Sequence, residues 1–161
     1  MNKEDFLSSL FFEAFNKKKS IRFILKGLSM YPVLREEDAL TVKPITFFEA
    51  EFGDILAYQN VYTKNITVHR MVKRVKSEKC NTILTAAEAG NSFTYDQPLT
   101  PSEYIIARVI TIERGARRIN LASPVNILKA KIRTYILVHF HSLIRTQRKF
   151  YMLVDRLFRQ G

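Results

Sequence analysis

The stretch GLSMYPVL occupies residues 27–34 and is followed by an acidic residue, Asp38. A strand feeding into this stretch would end just before a turn that carries Pro32. The hydroxyl of Ser29 could then project into a cleft while Met30 packs beneath it. We therefore expect a strand-to-turn junction here, with Ser29 as a candidate nucleophile. Considered alone, the same residues also fit a strand end with a capping serine.

Residues 66–75 form a second informative stretch, in which apolar and polar side chains alternate around His69 and Arg70. Such alternation is typical of a half-buried strand. A serine hydroxyl is almost wholly protonated at neutral pH and needs a base before it can act as a nucleophile. A neutral imidazole, with an unperturbed pKa of about 6.5, can accept that proton. We therefore pair Ser29 with His69 as a candidate dyad; considered alone, His69 also fits a hydrogen-bonded strand histidine.

Both stretches resemble segments of the signal peptidase I and LexA-type serine peptidases. The family pattern at the serine runs roughly G-x-S-M-x-P-x-L-x-x-G-D, and this chain departs from it at Glu37, where the family usually has Gly. The matching positions are Gly27, Ser29, Met30, Pro32, Leu34 and Asp38. The segment VHRMV at 68–72 is similar to a strand of the endoplasmic-reticulum, archaeal and SipW-like branch, which uses His rather than Lys as the base. The resemblance implies an antiparallel β core and serine endopeptidase chemistry.

A late acidic box of the family, roughly K-G-D-x-N-x-x-x-D, is matched less well. Its counterpart is AAEAGNSFTYD at 86–96, which lacks the first Asp but has Asp96 at the last acidic position. The resemblance implies that Asp96 orients His69, with Glu88 as the alternative. It also implies an oxyanion hole that uses the backbone N–H of Ser29. The missing Asp leaves open a weakened or inactive enzyme.

The segment EFGDILAY at 51–58 resembles a further box of the family, in which Gly-Asp precedes an apolar strand. Gly53 would permit a positive φ, and Asp54 would accept hydrogen bonds from backbone amides in the turn. Structural roles are expected for both residues and for Arg70, which follows the candidate base.

The short alternating runs predict a mainly β, α+β fold with three parts. An apolar stripe at helical spacing predicts an N-terminal helix within residues 1–19, and residues 20–120 form the predicted peptidase-like antiparallel β core. Residues 121–161 are predicted to form a basic amphipathic helical extension, because 125–160 contain neither Gly nor Pro. This extension would be one long helix, or two helices with a break near Thr146.

The net charge of +11 is concentrated near the C-terminus, where residues 121–161 carry eight Lys or Arg side chains against Asp155 alone. Such a field attracts anionic partners. We expect residues 125–160 to pack on the β core, to lie on an anionic membrane surface or to join two copies of the chain. Nucleic acid is a less favoured partner, because no helix-turn-helix or aromatic single-strand platform is recognisable.

The sequence also predicts where the protein resides. No uncharged apolar run reaches the roughly 18 residues expected of a membrane span, and the N-terminus lacks the pattern of a secretory signal. The single Cys80 excludes an intrachain disulfide and suits a reducing compartment. We therefore expect a cytoplasmic protein, with peripheral membrane contact at most. We expect no cofactor and no metal, since His139 and His141 would not share a helix face.

The leading interpretation is a Ser–His endopeptidase that cleaves an extended peptide, such as a leader or precursor. One alternative is a peptide-binding module of the same fold that has lost catalysis. Another is a LexA-like regulator associated with nucleic acid. The retained Ser29–His69 pair favours the enzyme over the binding module, and salt-dependent nucleic-acid binding would favour the regulator.

Overall fold

A computed structural model of the chain describes residues 3–62, 64–77, 80–89 and 94–140. The helices and strands in these ranges are α1 (Lys3–Asn16), β1 (Ile21–Ile24), β2 (Ala39–Pro44), β3 (Ile55–Asn60), β4 (Ile66–Lys76), β5 (Asn81–Ala86), β6 (Tyr104–Arg114), β7 (Arg117–Asn120) and α2 (Pro124–His139). A short 3-10 turn, Phe47–Glu49, lies between β2 and β3.

Within the described ranges, the seven strands form one antiparallel sheet in the order β1-β2-β6-β3-β4-β5, with β7 paired to the end of β6. Strand β4 therefore lies between β3 and β5. Its register places His69 opposite Leu56 of β3 and Arg70 opposite Ala86 of β5. The mainly β, α+β class expected from the sequence is confirmed.

The period-two alternation of the strands divides the buried apolar side chains between the two faces of the sheet. One cluster includes Phe11, Met30, Leu34, Val68 and Val109. The other includes Leu56, Tyr58, Met71, Ile83 and Ile106. Along β4, His69 shares the face of Met71, and Arg70 shares the face of Val68. The side chains of His69, the candidate base, and of Arg70, which follows it, thus lie on opposite faces of the sheet.

Helix α2 begins with a strong start signal, because the Ser123 side chain caps its first turn and Pro124 occupies the first helical position. Its inner side buries Leu137, which packs against Val72 of β4 and Ala86 of β5. The helix therefore covers part of the sheet near the ends of these two strands.

The helical extension predicted over 125–160 is described as far as Phe140, which follows the last residue of α2. The predicted break near Thr146 lies outside the described residues. None of the helices in the described ranges has both the length and the apolar character needed to cross a membrane.

Two elements were not anticipated by the pattern of apolar residues. Strand β7 has the sequence RRIN, which lacks an alternating apolar face. It forms because Gly115, with a φ of +55°, reverses the chain and returns it along β6. The 3-10 turn Phe47–Glu49 is held by two hydrogen bonds: the N–H of Thr46 donates to Oε2 of Glu49, and the N–H of Glu49 donates to the carbonyl oxygen of Thr46.

Candidate active site

Ser29 lies on an exposed turn that is anchored to the core by its neighbours. Gly27 has a φ of +92°, in the left-handed region that favours glycine, and it turns the chain just before the serine. Met30 is 1% exposed and Leu34 is fully buried, whereas Ser29 is exposed. The turn is therefore fixed from below by apolar packing while the candidate nucleophile stays at the surface.

Asp38 fixes the far end of the same turn. Its carboxylate is buried and accepts hydrogen bonds from Arg114 of β6, one to each oxygen, at 2.8 and 2.6 Å. Arg114 also donates to the carbonyl oxygen of Val33 at 2.9 Å. The peptide bond that precedes Pro32 is cis. Asp38 thus has a structural role, because its paired charge ties the serine turn to the central strand.

The loop that follows β5 holds the backbone of Ser29. The carbonyl oxygen of Ser29 accepts hydrogen bonds from the N–H groups of Glu88 and Ala89, at 2.9 and 2.8 Å. Within the described residues, no hydrogen bond uses the N–H of Ser29. The oxyanion role that the sequence motif implies for this N–H stays a prediction.

His69 and Asp96 form a close polar pair in the candidate site. The Nδ1 atom of His69 lies 2.7 Å from Oδ2 of Asp96. The same oxygen accepts hydrogen bonds from the hydroxyls of Thr85, at 2.7 Å, and Tyr58, at 3.4 Å. The backbone N–H of Asp96 also donates to the carbonyl oxygen of Thr85. Asp96 is therefore held from β3, β4 and β5 together.

This environment sets the charge of Asp96 and of Tyr58. Burial opposes ionisation of Asp96, but hydrogen bonds from His69, Thr85 and Tyr58 outweigh it and lower the pKa of the carboxyl below its ordinary value. Burial and the nearby charge of Asp96 raise the pKa of Tyr58 well above its ordinary value. At neutral pH, Asp96 is an anion and Tyr58 is a neutral hydrogen-bond donor.

An ionised Asp96 favours the His69 tautomer whose proton is on Nδ1, because that nitrogen can then donate to the carboxylate. Nε2 is left with a lone pair, which is the requirement for a general base. Among the described residues, no hydrogen bond joins the Ser29 hydroxyl to His69. The structure thus brings His69 and Asp96 into contact and holds the Ser29 backbone at the loop after β5, without a direct contact between the dyad side chains.

Glu88, the alternative orienting acid, makes different contacts. Its Oε1 accepts from Nε of Arg70 at 2.6 Å, and its Oε2 accepts from Nε of Arg133 at 2.5 Å. Both carboxylate oxygens are thereby engaged by arginines. In this structure the acid beside His69 is Asp96, and Glu88 belongs to a buried ion cluster.

The Gly53–Asp54 box forms a tight turn before β3. Gly53 has a φ of +96°, and its carbonyl oxygen accepts a hydrogen bond from Arg70 at 2.6 Å. Asp54 accepts from the N–H of Glu51 and from Nε of Arg108, both at 2.8 Å. Burial raises the pKa of Asp54 above its ordinary value, although these donors oppose the effect. The box shapes the β3 turn and makes no contact with His69 or Asp96 in the described part of the chain.

A cleft of about 290 Å³ lies between this turn and α2, and its lining includes Gly53, Arg70 and Arg133. Neither His69 nor Asp96 lines the cleft. It is therefore distinct from the His–Asp pair, on the side of the sheet to which Arg70 belongs.

Sequence reasoning missed three side chains that shape the site: Tyr58, Thr85 and Arg133. Strand alternation could have indicated the first two, because both lie on strands that flank β4. Their hydroxyls converge on Asp96 through strand pairing. No local pattern distinguishes Arg133 from the other basic residues of the C-terminal segment, since its partner lies 45 residues earlier.

No group of three or more His, Cys, Asp or Glu side chains with metal-binding geometry is found within the described ranges. The sequence matches no family model, and comparisons with curated proteins and with solved structures find no match.

Proposed function

We propose that this chain is a serine endopeptidase of the signal peptidase type, with Ser29 as nucleophile, His69 as general base and Asp96 as the acid that orients His69. The observation that carries the proposal is the 2.7 Å contact between His69 and Asp96. Two further hydroxyls hold the carboxylate, and the same loop region binds the Ser29 backbone. A solitary strand histidine has no need of such an arrangement.

In this mechanism, Nε2 of His69 removes the hydroxyl proton as Ser29 Oγ attacks the carbonyl carbon of the substrate. Asp96 stabilises the resulting imidazolium. The Ser29 N–H donates to the oxyanion of the tetrahedral intermediate. The imidazolium then protonates the departing amine as the peptide C–N bond breaks, which leaves the acyl group as an ester on Ser29 Oγ. A water molecule that gives a proton to His69 attacks this ester, the carboxylic acid product leaves, and His69 returns the proton to Ser29. The hydrogen bond from the Ser29 hydroxyl to Nε2 of His69 would form in the complex with substrate, since catalytic hydrogen bonds often tighten when substrate binds.

The proposed substrate is an extended peptide, such as a leader or precursor. Within the described residues, β1 pairs with β2 alone and lies at one end of the sheet. An added peptide strand can pair with such an edge through its backbone groups. Strand β1 leads directly into the serine turn, so a peptide on this edge would extend towards Ser29.

The test is covalent labelling of Ser29 by a fluorophosphonate probe, combined with cleavage of an extended-peptide library. Ser29→Ala and His69→Ala should each abolish both reactions, and the double variant should be little worse, because the two groups act as one unit. Ser102→Ala is the matched control, since Ser102 is an exposed serine on a different loop. Cleavage that persists unchanged in Ser29→Ala would overturn the proposed function.

A noncatalytic peptide-binding module is the second candidate, because no hydrogen bond joins Ser29 to His69 in the described part of the chain. Such a module would bind library peptides without cleaving them. It would also bind equally well after Ser29→Ala.

A further inference from the structure

Helix α2 is connected to the candidate site through the buried ion cluster of Arg70, Glu88 and Arg133. The two carboxylate oxygens of Glu88 each accept one arginine hydrogen bond. The side chains of Arg70 and Glu88 are 2% and 0% exposed, and that of Arg133 is 20% exposed. A carboxylate so deeply removed from water depends on its charged partners, because its desolvation is otherwise uncompensated. Arg133 therefore has a strong influence on where Glu88 lies.

Glu88 also holds the serine turn, but through its backbone. Its N–H and that of Ala89 are the two donors to the carbonyl oxygen of Ser29. Glu88 thus joins two elements: its carboxylate binds α2, and its backbone amide binds the turn of the candidate nucleophile. Any shift of Glu88 is transmitted to Ser29 across a single hydrogen bond.

The same cluster reaches β4 through Arg70, whose side chain lies on the opposite face of the sheet from that of His69. Arg70 follows His69 on β4 and donates both to Glu88 and to the carbonyl oxygen of Gly53. An added Cβ at Gly53 would lie 3.2 Å from backbone atoms of Ala130 and Lys131 in α2. The cluster therefore lies where α2, the β3 turn and β4 meet.

We propose that Arg133 is a positioning residue: by binding Glu88, the docked helix α2 fixes the Ser29 turn in the place from which Ser29 reacts. The inference deepens the proposed peptidase function and rests on it for its catalytic consequence. Its structural part, that Arg133 secures the hydrogen bonds to the Ser29 carbonyl, can be tested without any activity.

The structural test is amide hydrogen exchange on the full chain, read by NMR. Arg133→Met should speed exchange of the Glu88 and Ala89 amides at least tenfold, with the central strands β3 and β6 unchanged. Lys131→Met is the matched control, since Lys131 is an exposed cation on the same helix that pairs with Glu51. This control should leave both amides unchanged. Arg133→Lys keeps the cation and should restore much of the protection.

The catalytic test is the rate at which a fluorophosphonate labels Ser29. Arg133→Met should slow labelling at least tenfold, Arg133→Lys should recover part of the rate, and Lys131→Met should match the unaltered chain.

Unchanged exchange at Glu88 and Ala89 in Arg133→Met would overturn the positioning role. A uniform rise in exchange that includes β3 and β6 would also overturn it, because Arg133 would then stabilise the whole fold. An unaltered chain that is not labelled at all would instead refute the proposed peptidase, while the exchange result still tests the positioning.

Discussion

The contact between His69 and Asp96 makes Asp96 the most informative residue to change. Asp96→Asn keeps the size of the side chain but removes the anion that selects the Nδ1–H tautomer of His69. Peptide cleavage should fall by about 10²–10⁴-fold, as expected when an orienting carboxylate of a base is lost. The measurement is kcat/KM on a peptide cleaved by the unaltered chain. A larger loss in Glu88→Gln than in Asp96→Asn, with the melting temperature preserved, would move the orienting role to Glu88.

The lowered pKa of Asp96 adds a pH-dependent check on the same variant. A carboxyl whose folded pKa lies below its unfolded value of about 4 stabilises the fold above that pH. This contribution is lost as the pH falls through the folded pKa. The melting-temperature advantage of the unaltered chain over Asp96→Asn should therefore shrink as the pH is lowered from about 5 to about 2. A constant difference across this range would contradict the assigned contacts.

Glu37 occupies a backbone conformation that its side chain disfavours, with a φ of +71°. Its position is the one at which the serine motif usually has Gly. A non-glycine residue in the left-handed region lowers the free energy of unfolding by roughly 1–2 kcal/mol. Replacement by glycine removes this strain, but the greater backbone entropy of glycine in the unfolded chain offsets about 0.5–1 kcal/mol of the gain. Glu37→Gly should therefore raise the free energy of unfolding by about 0.5–1 kcal/mol.

Urea denaturation measures this change. The matched control is Glu36→Gly, because Glu36 is equally exposed and does not have a positive φ. That variant should lower the free energy of unfolding by about 0.4–1 kcal/mol, since glycine gives the unfolded chain more freedom. Destabilisation by both variants would contradict the expected relief of strain at Glu37.

At the scale of elements, Gly53 limits how closely α2 can approach the β3 turn. Gly53→Ala meets two penalties: the left-handed φ costs about 1–2 kcal/mol, and the new Cβ presses on the α2 backbone. Gly27→Ala is the control, because Gly27 has a φ of +92° and no atom within 4 Å of its Cβ position. Gly53→Ala should be clearly the more destabilising of the two in urea denaturation. An equal decrease in the free energy of unfolding in the two variants would show that α2 can move away from Gly53 at little cost.

Most of the strands are predicted from the alternation of apolar and polar residues along the sequence. The pattern around His69 predicts a strand, and the structure shows one. Period two does not hold along its whole length, because a bulge between Met71 and Lys73 shifts the register with β5. Alternation could not predict β7, whose place comes from the Gly115 turn and its pairing with β6. Nor could it predict the link between Arg133 and Glu88, which depends on how α2 docks. Local patterns specify elements, whereas contacts between distant elements depend on the complete fold.

At the scale of the whole molecule, α2 presents apolar side chains on its outer side as well as its inner side. The exposed row consists of Val125, Leu128, Ile132 and Tyr135, which are 53–62% exposed. Their spacing of three and four residues places them on one side of the helix. Lys129 follows Leu128 of this row, and residues 121–161 together carry eight Lys or Arg side chains against Asp155 alone. Such a surface suits an anionic membrane.

We therefore expect the full chain to float with vesicles that contain phosphatidylglycerol and not with phosphatidylcholine vesicles. Salt should weaken the binding, because each nearby Lys or Arg contributes about 1 kcal/mol against an anionic surface. Leu128→Ser combined with Ile132→Ser should reduce flotation at least tenfold, whereas Thr100→Ser, on a distant loop, should not. Absence of flotation together with a concentration-dependent dimer would assign the row to contact between two copies.

The pairing of β2 with β6 has a consequence for when the serine turn can form during synthesis. Ala39, just after the serine turn, pairs with Glu113 of β6, and Arg114 binds Asp38. The ribosome must therefore have released the chain to well beyond residue 114 before the serine turn can form its contacts with β6. Contacts between such distant residues also form slowly, because a long loop must close first. In a nascent chain, the proposed site would consequently not be assembled until the sheet is complete.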